Sequence, residues 1–192
     1  MDRFYYIISQ LPMLFFEKES FMTIDIFLME AKKWLSNRDY RVLSRILIDD
    51  TSVEKKDSHL WQEYKKFELR FRTDLALWRQ SVHEGREIKM TGFPVSNVKD
   101  GNPLEVEKRL LAHRWHFLEE MEKEHHFDFG FLIIYFLKLQ ILQRLSLFNK
   151  EKGVEVFKDI IATKSFEPLE EIWKDDLEGR NQKVSEAAPK PS

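Results

Sequence analysis

From Ser58 to Glu84 the chain contains neither proline nor glycine, and Leu60, Tyr64, Phe67, Phe71, Leu75, Trp78 and Val82 recur every three or four residues. That spacing puts all seven on one side of an α-helix, whereas on a strand they would scatter over both faces. At about 1.5 Å per residue the segment makes a rod of about 40 Å. An apolar stripe of that length must be covered by other elements along most of its course. The rod therefore predicts a helical body built around it.

The remaining sequence agrees. Six Gly and six Pro in 192 residues leave few breakers, which favours long helices over many short strands. Thr23 is placed to cap a helix whose core side is Ile24, Phe27, Leu28, Ala31 and Leu35. Ser36, with Asp39 three residues on, opens a second short helix bearing Tyr40, Leu43 and Leu47. Ser58 begins the rod and Gly85 is a plausible stop. Asn102, Pro103 and Glu105 stand at N-cap, N1 and N3 of a helix to about Glu124, with Leu104, Leu111, Trp115, Leu118 and Met121 facing inward. Asp128 caps an apolar helix to Phe148, and the short His125–Asp128 connector makes these last two neighbours antiparallel. Further helices are expected over 150–162, with Val154, Phe157 and Ile161 inward, and over 166–177.

Tyr5 to Phe16 is β-branched and aromatic around Pro12, which suits an extended segment or short strand, or equally a short helix ending before the proline. The expected fold is all-α: an antiparallel bundle of about six or seven helices with an extended N-terminal segment. Residues 1–178 read as a single helical domain, divisible into halves 1–85 and 102–178 across loop 86–101, and the polar, Pro-containing residues 179–192 read as a disordered tail.

Charge and composition exclude several functions. The 31 basic and 33 acidic side chains nearly cancel, so there is no general excess of cations to displace counterions from a nucleic acid. Cysteine is absent, which removes disulfides, thiolate nucleophiles and zinc ribbons. The opening lacks the basic region and small-residue cleavage site of a secretory leader. The longest apolar run, Phe129 to Leu137, ends at Lys138, well short of the roughly 20 residues needed to span a bilayer, and reads as a buried helix. Location in the cytoplasm is the expectation.

Chemistry-bearing patterns are few. No nucleophile elbow or phosphate-binding glycine loop is present, and serines sit where helix caps are needed, so no catalytic residue and no cofactor is assigned. Glu122 and His125 form a Glu-x-x-His step of the kind that di-metal bundles use, but such sites need a second step and further glutamates, leaving metal binding as an alternative reading only. Arginines are more suggestive. Arg72 and Arg79 share a face of the rod, beside Glu68 and Arg70, while Arg114 and Arg144 lie by the seams of later helices. Either this is a solvated face with intrahelical pairs, or Glu68, Arg70, Arg72 and Arg79 form a partner-binding surface. Abundant Phe and Trp serve the core first, and also permit an interface.

Three segments together resemble a known family. Tyr5-Tyr6-Ile7-Ile8-Ser9-Gln10-Leu11-Pro12 resembles the tyrosine-rich, Ser-Leu-Pro opening of an uncharacterised bacterial family whose genes accompany V-type (A/V-type) ATP synthase subunits. Trp61, Tyr64, Phe67, Glu68, Leu69, Arg72, Leu75 and Arg79 are similar to its long helix. Tyr135, Leu137, Lys138, Leu139, Gln140, Leu142, Arg144, Phe148, Lys150, Glu151, Lys152 and Gly153 resemble its closing signature. Gln10 and Thr73 depart from that pattern. The helices are also distantly similar to the C subunit, which joins the central stalk to the membrane ring. The resemblance implies a non-catalytic subunit or accessory factor of the rotary machine. Its implied partners are stalk and ring subunits, with no nucleic acid and no direct membrane insertion, and it would be held at the inner membrane through the complex. An unrelated helical adaptor is the other alternative.

Overall fold

The computed structural model describes residues 3–18, 20–86, 92–99 and 101–148. The helices expected over 150–162 and 166–177, the tail, and the Lys-Glu-Lys-Gly part of the closing signature lie outside the described residues. Among those described, the chain is all-α, without strands. Its elements are α1 (Arg3–Gln10), α2 (Ile24–Trp34), α3 (Asn37–Leu43), α4 (His59–Glu84), the single turn α5 (Ser96–Lys99), α6 (Pro103–Glu122) and α7 (Phe129–Ser146).

Helix boundaries follow the capping chemistry. The side chains of Thr23, Ser36, Ser58, Asn102 and Asp128 accept from the backbone N–H of Ile26, Asp39, Trp61, Glu105 and Phe131. Each satisfies a donor that the first turn leaves unpaired. Asn102 also donates to Glu105 at 2.9 Å, which closes a reciprocal pair. Gly85 ends α4 in the left-handed region at φ 67°, where a β-carbon would be strained.

The bundle is organised on α7, which packs against α2, α3 and α6. Ten of its residues are buried, Lys138 among them. By length and composition α7 could cross a membrane. Its flanks are instead occupied by Phe27 of α2, Leu43 of α3, and Leu111, Trp115 and Leu118 of α6 in one apolar core. α4 meets α6 through large rings, with Phe67 stacked on Phe117 at a centroid distance of 3.8 Å. A second, smaller core of Phe71, Leu75, Phe93, Val98 and Leu110 lies further along α4. Part of the expected loop 86–101 thus has a structural role, since Phe93 and Val98 seal that core.

At the opening the chain takes the second of the two expected forms, a short helix in place of an extended segment. Residues 3–10 are helical, because burying Ile7 and Ile8 against α2 outweighs their β-propensity. The helix stops before Pro12, and an irregular path follows. Local corrections have the same cause, the true direction of the core. Val82, Leu47 and Leu104 are exposed, while Trp61, Ile46 and Leu110 are buried in their place.

Candidate functional site

α4 and α6 face each other across a buried carboxylate. Glu68 has no solvent exposure and accepts three hydrogen bonds. Arg114 on α6 forks onto it, with Nε 2.9 Å from Oε2 and Nη2 2.9 Å from Oε1. Arg72, one turn along α4, donates Nε to Oε1 at 2.7 Å and Nη2 to Asp49 at 2.7 Å. The Arg114 guanidinium lies 4.4 Å from the centroid of the Phe71 ring, so its flat face is covered as well as its edge. The hydrogen bond to Glu68 is the main influence holding the Arg72 guanidinium above its ordinary value, although its partial burial opposes this. Four charges thus join two helices and the linker between α3 and α4.

The expected partner surface of Glu68, Arg70, Arg72 and Arg79 is therefore not one surface. Glu68 is inside. Arg72 is half committed to internal bonds. Arg70 stands two residues from Glu68, about 200° around the helix, and is exposed on the opposite side. Arg79 shares the Arg72 face and is exposed. A Glu–Arg pair four apart reads locally as a surface pair. Arg114, 46 residues beyond Glu68, turns it into a core tie.

Two lysines are buried in the same manner. Lys65 bonds Asp57 at 2.8 Å, Asp50 at 2.9 Å and the Ser52 carbonyl at 2.7 Å, with its ammonium over the Trp61 ring. Burial would depress it, yet these carboxylates raise it above the usual lysine value. Lys138 pairs with Glu122 and lies over the Trp115 ring. That pairing dissolves the proposed Glu122–His125 metal step. Glu122 is taken by α7, while His125 Nδ1 sits 2.5 Å from Asp128, the residue that caps α7. No group of three or more potential metal-ligating side chains occurs among the described residues.

Neutral ties complete the arrangement. Gln140 on α7 donates to the Ile46 carbonyl at 3.0 Å and accepts from the Ile48 N–H at 2.9 Å, and the Tyr64 hydroxyl donates to the Ile48 carbonyl at 3.1 Å. Burial drives the Tyr64 phenol well above its usual range, so it remains a donor. Tyr135 donates to the Pro12 carbonyl at 3.0 Å. His113 sits among the Phe67, Phe71 and Phe93 rings at centroid distances of 5.5, 5.5 and 5.8 Å. Among the described residues its buried Nε2 has no hydrogen-bond partner. Burial first, then Arg114 and His116, hold it below the ordinary imidazole value.

The arrangement positions helices, since its charged groups are spent on one another. A family described as "Protein of unknown function (DUF2764)" matches residues 94–167, which takes in α5, α6 and α7 and continues past the described residues. No curated protein and no solved structure matches the chain.

Proposed function

We propose that the chain is a non-catalytic subunit or accessory factor of a V-type rotary ATP synthase, a C-subunit-like connector between central stalk and membrane ring. The observation that supports this reading is the meeting of two segments that carry the resemblance. Tyr135, from the closing signature, bonds Pro12 of the opening across 123 residues. Lys138 and Gln140 of the same signature serve α6 and the α3–α4 linker. A connector under torque needs stiff helices with fixed mutual positions, and internally satisfied charges provide them. The protein would sit in the cytoplasm, held at the inner membrane through its ATPase partners.

The test is an affinity isolation of the tagged chain from its native membrane fraction at low ionic strength, followed by identification of the retained proteins. Stalk or ring subunits in stoichiometric amount are the expected result. Recovery of no ATPase subunit, with the tagged chain folded and intact, refutes the reading.

A further inference from the structure

Between Ala31 and Ile48 the sequence carries five cationic side chains and one acidic one, in a chain whose net charge is −2. Three of the five are arginines of α3 and the turn that follows it. At about 100° per residue Arg38, Arg41, Val42 and Arg45 occupy one arc of about 100°, and Leu43, which is buried, points the other way. All four are exposed. None of the three guanidinium groups makes an ion pair among the described residues, whereas the buried cations Lys65 and Lys138 and the half-buried Arg114 each have a carboxylate. Asp39, the one acid of the segment, is turned to the Ser36 hydroxyl at 2.7 Å.

Exposed aromatic rings lead to the start of this face. Phe127 lies 5.1 Å from Tyr5, Tyr5 lies 6.0 Å from Tyr6, and Tyr6 stacks on Trp34 at 5.7 Å with an interplanar angle of 11°. Trp34 is four residues before Arg38, and all four rings remain at least 40% exposed. Trp, Tyr and Arg are the residues that concentrate binding energy at protein interfaces. Tyr6 and Trp34 lie face to face while Tyr5 meets Tyr6 edge-on and Phe127 at a tilt, and rings interlocked in this way suit a protein surface better than insertion between lipid tails. Arginine rather than lysine favours forked pairing with carboxylates.

We propose that Arg38, Arg41 and Arg45, flanked by Trp34, form a docking face for an acidic helix of a protein partner. Arg38 and Arg45 are seven residues apart, about 10 Å along the axis. A partner helix with carboxylates at positions three or four apart matches that row. The inference stands apart from the ATPase reading, because it identifies the partner by its chemistry.

The test places photoreactive benzoylphenylalanine in place of Val42, which keeps all three arginines, and in a control in place of Leu69. These residues are 45% and 49% exposed, so the two probes are equally accessible. The full chain is irradiated in its native cells and the cross-linked peptide is sequenced by mass spectrometry. The expected product is a Val42-dependent adduct on one partner segment bearing three or more Asp or Glu residues at helical spacing. Its yield should fall about tenfold in an Arg38→Glu, Arg45→Glu background and return when the partner's carboxylates are changed to lysine. Unchanged circular dichroism and melting of that background show that the fold is intact. Adducts on lipid or nucleic acid, on a segment without carboxylates, or no adduct above the Leu69 control overturn the proposal. An acidic segment from a protein outside the ATPase supports it while removing support for the connector reading.

Discussion

Replacing Glu68 with glutamine keeps the shape of the side chain and removes its charge. The Oε1 atom now accepts from both Arg72 and Arg114, and Oε2 accepts from Arg114 again. An amide has one oxygen, so in either orientation its NH2 group must face a guanidinium donor. The Arg114 side chain is only 11% exposed, so little water can replace the lost acceptor, whereas Arg72 is 43% exposed and keeps Asp49. Removing one member of a buried pair typically costs about 3–5 kcal/mol, and the surviving Arg72–Asp49 bond puts the expected loss near the lower end, about 3 kcal/mol. For a chain of this size that corresponds to a fall in Tm of about 6–12 °C. Urea unfolding followed by tryptophan fluorescence measures the loss directly, provided the slope with denaturant is unchanged. A loss below about 1 kcal/mol, the range of exposed ion pairs, refutes the reasoning. The double variant Glu68→Leu, Arg114→Met should recover most of the loss, because the apolar pair leaves no stranded charge.

Three further outcomes follow from the same structure. Tyr135→Phe removes the bond to the Pro12 carbonyl and should cost about 1 kcal/mol in the same unfolding assay. In Gly130→Ala the new β-carbon meets His125 Nδ1 at 2.5 Å, so the variant should lose about 1–3 kcal/mol, and His125→Ala in that background should restore most of it. His113 is held below its ordinary value of 6.5, so the unfolded chain takes up its proton first. Its contribution is fully present above pH 6.5 and is lost as pH falls through the folded value. The stability of His113→Phe, measured by urea unfolding from pH 7.5 to 5, should show a shallower decline than the parent.

Much of the fold was legible because it is local. Capping side chains, helical stripes and Gly85 depend on neighbours within four residues, and Thr23, Ser36, Ser58, Asn102 and Asp128 all act as their positions imply. The site was less legible because its meaning is set by distant partners. Glu68 looked like surface until Arg114 reached it from α6. Lys138 looked like the end of an apolar run, and is instead a buried cation held by Glu122 and Trp115. Glu122 and His125 have a ligand spacing, but spacing alone cannot show that other groups already hold both. The opening helix was open to two readings, since β-branched and aromatic residues favour strands until tertiary burial decides. The α3 arginines form a defined face only once the burial of Leu43, against the exposure of Leu47 from the same expected stripe, fixes which way it points.

The Gln140 amide joins α7 to backbone groups 94 and 92 residues earlier. During synthesis this latch cannot close until residue 140 has left the ribosome. At about 5–20 residues per second, Ile48 waits roughly 5–20 s for its partner. Throughout that interval Phe27, Ala31 and Leu43 lack the helix that covers them. The nascent chain therefore carries its largest apolar debt just before α7 emerges, and a lesion that slows translation between α4 and α7 lengthens that exposure without altering the finished protein.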